Sequence, residues 1–121
     1  MVLCTVKDDL HDIGKNIVKN MLEASGFEVI DLGIDVPPER IIETVKTEGI
    51  RIVALSGVLT LALDSMRDVV DAFADAGMRD KVKIIIGGNP VTEVACKAIG
   101  ADEWAKSPRK TVGVCSEWAA G

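Results

Sequence analysis

Apolar residues fall along this chain in two alternating rhythms. Short β-rich runs, Val2-Leu3-Cys4-Thr5-Val6 first, alternate with longer stretches whose apolar positions recur at helical spacing, as at Ile13, Ile17, Met21 and Leu22. The runs predict strands covered on both faces, and the longer stretches predict amphipathic helices laid over them. Strand one, Val2 to Val6, leads to a helix from about Gly14 to Ser25 that Gly26 ends. Strand two, Glu28 to Asp31, runs into Gly33-Ile34-Asp35-Val36, and Pro37-Pro38 opens a helix that carries Ile41, Ile42 and Val45 and stops at Gly49. Strand three, Arg51 to Ser56, precedes a helix from about Leu63 to Ala76, with Met66, Val69, Val70 and Phe73 on its inner stripe. Strand four, Lys83 to Ile86, is followed by Gly87-Gly88-Asn89-Pro90 and a helix over Thr92 to Ile99. A short strand at Glu103 to Ala105 and a helix from about Arg109 to Trp118 complete the chain.

Strands alternating with helices mean βαβ units, a parallel sheet and right-handed crossovers. The expected fold is therefore α/β: a Rossmann-like, flavodoxin-type, doubly wound sheet of five parallel strands in the order 2-1-3-4-5. Residues 1–121 read as one domain. In that order the switch point lies between strands one and three, so the loops after them open on one crevice, where such sheets bind ligands. His11 stands in the first loop, Ser56 begins the second, and Gly87-Gly88 follows the neighbouring strand.

Composition narrows the partners. A formal net charge of −5 and a pI near 4.8, with no basic stripe, argue against nucleic acid. No apolar run is long enough for a membrane span, and no export signal stands at the start, so no membrane partner is expected. The three cysteines, Cys4, Cys96 and Cys115, are widely spaced and read as small buried hydrophobes of a cytoplasmic protein. One histidine with scattered cysteines gives no zinc-ligand spacing.

Chemistry concentrates at Asp9-Leu10-His11-Asp12-Ile13-Gly14, which holds the only histidine. Asp9 is two residues from His11, so in an extended loop both side chains reach the same side. A carboxylate bonded to one ring nitrogen leaves the other free as a metal ligand or base, and a Ser56 hydroxyl bonded to Asp9 would extend the relay. Gly14, Gly87-Gly88 and the irregular Ser56-Gly57-Val58-Leu59-Thr60 put small residues on three loops of one edge. Together they suggest a deep slot between sheet and helices.

Asp9-x-His11-x-x-Gly14, then Ser56-x-Val58, then Gly87-Gly88, resembles the D-x-H-x-x-G, S-x-L, G-G signature of cobalamin-binding domains. The wider text, including His11-Asp12-Ile13-Gly14-Lys15-Asn16-Ile17-Val18 and Asp31-Leu32-Gly33-x-Asp35-Val36-Pro37, is similar to the corrinoid proteins of bacterial and archaeal methyltransferase systems, relatives of the cobalamin module of methionine synthase. The resemblance implies cobalamin or a related corrinoid as cofactor, with His11 as the lower axial ligand of cobalt in the base-off/His-on state. It implies that Asp9 hydrogen-bonds His11, that Ser56 extends the relay, and that Asp12 and Ile13 lie in the cofactor-binding segment. Gly14, Gly87 and Gly88, with Ser56, Val58, Leu59 and Thr60, would line the slot for the displaced nucleotide tail. Asp9, His11 and Ser56 would be the residues that tune a methyl-Co(III)/Co(I) cycle.

The chain departs from the family pattern at Asp8, where Gly is common, and at Val58, where Leu is common. Asp8 adds a charge beside the relay; Val58 only trims an apolar wall. Related corrinoid proteins carry a helical bundle ahead of this domain, and with strand one beginning at Val2 that cap is expected to be absent from this chain. The implied function is that of a methyl carrier, a component rather than a self-sufficient enzyme, loaded by a substrate-specific methyltransferase and unloaded by a second one with a folate or thiol acceptor. A subunit of an adenosylcobalamin-dependent mutase shares the signature, but 121 residues cannot hold the barrel that its radical chemistry requires. A receiver-like signalling domain shares the fold and the acidic pair Asp8-Asp9, yet it needs a phospho-accepting Asp where this chain has Ser56.

Overall fold

The first apolar run is buried throughout, and the sheet grows outward from it on both sides. In the computed structural model, which describes all residues 1–121, the strands are β1 (Val2–Val6), β2 (Ile30–Val36), β3 (Ile52–Ser56), β4 (Lys83–Gly87) and β5 (Glu103–Ala105). The helices are α1 (Ile13–Ala24), α2 (Pro38–Glu48), α3 (Ala62–Asp75), α4 (Glu93–Ile99) and α5 (Pro108–Ala120), and a short 3₁₀ turn, Arg79–Lys81, precedes β4. All strand pairs are parallel, in the order β2-β1-β3-β4-β5 expected from the sequence. No helix is long and apolar enough to cross a membrane.

Local chemistry sets the helix ends. Pro38 takes the first position of α2, and Gly49, left-handed at φ 64°, terminates it. The Thr92 hydroxyl accepts the Ala95 N–H at 3.0 Å to start α4, and the Ser107 hydroxyl accepts that of Lys110 at 3.2 Å to start α5.

Strand alternation divides the core unequally. Val53, Leu55, Ile84 and Ile86 pack with α2, α3 and α4 in a cluster of 20 buried residues that includes Phe73 and Met66. The opposite face, under α1 and α5, has only six, among them Leu3, Ala54, Ile85 and Ala105. Two of those four are alanines, and the volume they leave is where the site forms.

Two sequence expectations are corrected. Strand two was expected over Glu28 to Asp31, whereas β2 runs from Ile30 to Val36. Its register explains the discrepancy: Leu3 pairs with Asp31, Cys4 with Gly33 and Val6 with Val36, so β2 spends two extra residues along β1. Left-handed Gly33 (φ 95°) and Asp35 (φ 52°) absorb them as bulges, and such residues read as a turn when only sequence is considered. In α1, Ile13 and Ile17 do not face inward: Ile13 is 77% exposed and Ile17 is also exposed, while Lys15 and Leu22 are buried. Lys15 Nζ lies 2.7 Å from Asp31 Oδ2 and 2.8 Å from Asn16 Oδ1, and this half-buried ion pair against β2 goes with a helix whose inner row is Lys15, Val18 and Leu22.

Candidate functional site

Asp9 ends the turn that follows β1, and it is completely buried. Its Oδ1 accepts hydrogen bonds from the His11 backbone N–H (3.0 Å) and from His11 Nδ1 (2.7 Å). Its Oδ2 accepts the N–H groups of Val58 (2.8 Å) and Leu59 (3.0 Å), on the loop after β3. One carboxylate therefore ties together the two loops at the switch point. Burial alone would raise its pKa; the amides of Leu59, Val58 and His11 and the His11 ring outweigh that effect and bring it down to about 2.

An anionic Asp9 accepts and cannot donate, so Nδ1 of His11 carries a proton, and in the neutral imidazole Nε2 is then the nitrogen with the lone pair. The imidazole is 51% exposed and Nε2 has no partner within the chain. The loop is also tied at its backbone, because the Thr5 hydroxyl donates to the His11 carbonyl at 2.8 Å. Exposed apolar side chains stand around this edge: Leu10 and Ile13 beside His11, and Val58, Leu59 and Leu61 on the loop whose amides hold Asp9.

Beside His11 a cavity of about 270 Å³ enters between the sheet and the helices α1 and α5. Leu3, Ala54, Ile85 and Ala105 belong to its lining, as do Gly14, Lys15 and Val18 of α1 and Ser107, Pro108 and Thr111 at the start of α5. His11, Ser56, Val58, Gly87 and Gly88 line it too. A Cβ added at Gly14 would meet nothing within 4 Å, so packing does not require glycine there; its absence of a side chain leaves the space open. Gly88 is required by the fold: at φ 125° its missing Cβ would collide with the Gly57 carbonyl.

Several expected residues take other places. The anticipated Ser56–Asp9 hydrogen bond is absent, since Val58 and Leu59 amides occupy Oδ2, and Ser56 instead lines the cavity. Leu59 and Thr60 are not on the cavity wall: Leu59 contributes its N–H to Asp9, and the Thr60 carbonyl accepts the Leu63 N–H at 3.1 Å in the turn into α3. Asp12 and Ile13 also lie off the cavity, Asp12 as the residue before α1, its carbonyl accepting the Asn16 N–H at 2.8 Å. Asp8 occupies a left-handed position (φ 69°), a conformation that glycine adopts at no steric cost.

Sequence reasoning missed the cavity floor and Lys15. The floor was visible only as alanines at Ala54 and Ala105 on strand positions where larger residues are usual. Lys15 announced itself by sitting on the Lys15-Val18-Leu22 row, an apolar spacing interrupted by a charge. The cysteines take no part: burial pushes Cys4 up to about 12 and Cys115 up to about 11, and raises Cys96 as well, so all three stay thiols.

Comparison with known proteins gives the chain's family and relatives. The model of the B12 binding domain matches residues 1–112. Dimethylamine corrinoid protein 3 of Methanosarcina mazei is 43% identical over 113 residues, which are 93% of this chain and 68% of that protein. Among solved structures, a cobalamin-binding protein from Desulfitobacterium hafniense superposes with a TM-score of 0.93 at 56% identity, covering 97% of this chain and 57% of that one. The methanol:cobalamin methyltransferase complex MtaBC from Methanosarcina barkeri gives 0.92 at 28% identity, covering 99% and 46%. The chain thus spans roughly half to two thirds of the relatives that it matches. A receiver domain of the response regulator NarL from Mycobacterium tuberculosis, at 16% identity and a TM-score of 0.65, shares the fold alone.

The depressed pKa of Asp9 gives a signed prediction for the protein without ligand. A carboxyl at about 2 in the folded chain against 3.8 otherwise stabilises the fold above about pH 4, and that contribution disappears as pH falls through about 2. It amounts to on the order of 2 kcal/mol. Urea unfolding of wild type and Asp9→Asn should therefore differ most near neutral pH and converge toward pH ~2; a gap that stays constant with pH contradicts the assignment.

Proposed function

The chain belongs to the B12-binding domain family, and from that membership we propose that it is the corrinoid-carrying part of a methyl-transfer system, holding cobalt from below through His11 Nε2 in the base-off/His-on arrangement. The observation that carries this reading is the 2.7 Å bond from His11 Nδ1 to a carboxylate that can only accept. It commits one ring nitrogen and leaves the other bare, half-exposed and beside the cavity. The carboxylate–histidine pairing is the usual way in which a protein fixes the tautomer of a metal-ligating imidazole.

The donor set and the cavity suit a corrinoid. A single imidazole would supply a nitrogen ligand, the exposed apolar residues Leu10, Ile13, Leu59 and Leu61 would suit a broad macrocycle, and the open space at Gly14 would suit a nucleotide tail between sheet and helices. When bound, the corrinoid supplies a cobalt centre that takes up and gives away a methyl group. The chain's residues do the rest. Asp9 holds the proton at Nδ1, which leaves Nε2 as the ring nitrogen free to bind. Leu3, Ala54 and Ile85 exclude water from the cavity floor, and Ser56, Ser107 and Thr111 offer hydroxyls on its walls. Asp12, Ile13 and Thr60 serve the site from outside the cavity.

The partners follow from the same reading: a substrate-specific methyltransferase that loads the carrier and a second, with a folate or thiol acceptor, that unloads it. Similarity to a dimethylamine corrinoid protein makes methylated amines the first donor class to try. The three buried, unpaired thiols support a reducing cytoplasm.

Two variants test ligand and cavity separately. With His11→Ala, the red-shifted, histidine-coordinated spectrum of bound cobalamin should vanish and affinity fall by at least about tenfold; an unchanged cobalt spectrum contradicts the ligand assignment. With Gly14→Leu, cobalamin affinity should fall by about tenfold or more, while cobinamide, which has no nucleotide tail, should bind within about twofold of wild type. An equal loss for both, or a loss for neither, contradicts the role given to the cavity.

A further inference from the structure

The His11 ring makes one hydrogen bond, to Asp9, so its direction is inherited from whatever fixes Asp9. The Asp9 side chain is held by the loop after β3. Its backbone is held from the other side of the sheet edge by a residue that belongs to neither loop. Asp35, at the second bulge of β2, donates its N–H to the Asp9 carbonyl at 3.1 Å and accepts the Asp8 N–H on its carboxylate Oδ1 at 2.8 Å. Those two bonds bracket the Asp8–Asp9 segment. Asp35 can make both because it is left-handed (φ 52°) and directly precedes Val36, the last residue that pairs with β1.

We propose that Asp35 is a positioning residue for the axial ligand: it clamps the Asp8–Asp9 backbone so that Asp9, and through it the His11 ring, stands ready before any cofactor arrives. The inference rests on the reading of His11 as ligand. The clamp has something to hold in place, since Asp8 itself is left-handed (φ 69°), a conformation that is unfavourable for a residue with a side chain. Without the Oδ1 acceptor, Asp8 is free to relax toward ordinary backbone angles, which rotates the peptide that carries Asp9. The Thr5 hydroxyl on the His11 carbonyl then remains as the tether at the far end of the turn. Through Asp35, β2 reaches the turn after β1 that carries Asp9 and His11.

The test compares Asp35→Gly, which removes the acceptor but tolerates the left-handed backbone, with Asp35→Asn, which keeps an Oδ1 acceptor and removes only the charge. In the protein without cofactor, amide exchange at Asp8 and His11 should accelerate about tenfold in Asp35→Gly and stay near wild type in Asp35→Asn, with exchange in α3 unchanged in both. With cobalamin added, the histidine-coordinated fraction read from the visible spectrum should fall in Asp35→Gly, with about tenfold weaker binding, and be restored in Asp35→Asn. Unchanged exchange and spectrum in Asp35→Gly overturn the proposal, and so does an Asp35→Asn variant that behaves like Asp35→Gly, because then charge and not the clamp is at work. A wild type that binds cobalamin without histidine coordination overturns the underlying reading instead, whatever the exchange data give.

Discussion

A buried carboxylate has to be satisfied by hydrogen bonds, and Asp9 is satisfied from two directions at once. Both oxygens accept two bonds, one oxygen from the His11 segment and the other from the loop after β3. An open parallel sheet has a crevice where its strand order reverses, and it needs something to hold the two flanking loops together there. In this chain the fastener is also the group that fixes the tautomer of the only imidazole. Structure and chemistry therefore depend on the same four bonds, which is why the carboxyl remains ionised far below the range usual for Asp.

The second determinant is the inequality of the two sheet faces. Large side chains on β3 and β4 point toward α2, α3 and α4 and fill that face, whereas alanines at Ala54 and Ala105 thin the other. Helices α1 and α5 cannot close fully over small residues, and Gly14 adds no side chain to help them. The result is a cavity that opens beside His11 instead of a filled core. Lys15 completes its wall at the expense of a buried ion pair, and the Lys15 hydrogen bond holds the Asp31 carboxyl below its ordinary range against the opposing effect of burial.

Much of this was legible in the sequence because it rests on local chemistry. Strands β1 and β5 fall where the β-rich runs put them, the capping glycines and prolines mark α2 and α4, and alternation gives a parallel, doubly wound sheet, of which 2-1-3-4-5 is one common order. The Asp9–His11 bond was legible too, since a spacing of two residues in an extended turn permits little else. What escaped depends on the third dimension. The bulged part of β2 needs its partner β1 to become a strand, and Gly33 and Asp35 alone read as a turn. The inner row of α1 begins with a charged residue, Lys15, and its partner Asp31 lies on another strand, beyond the reach of helical periodicity. Ser56 looked like the natural partner of Asp9 because it is a hydroxyl at the right strand end, yet backbone amides one turn further along reached the carboxylate first. Backbone donors carry no side-chain signature and so leave no trace in a motif.

The most direct test uses the fact that His11 is the only histidine in the chain. Cobalamin bound to the protein and reduced to its paramagnetic cobalt(II) form shows a hyperfine pattern from whichever axial nitrogen coordinates the metal. Labelling the protein with nitrogen-15 histidine while leaving the cofactor unlabelled should change that pattern from triplet to doublet if His11 is the ligand. A triplet that survives the labelling means that the cofactor keeps its own base, and it contradicts the account.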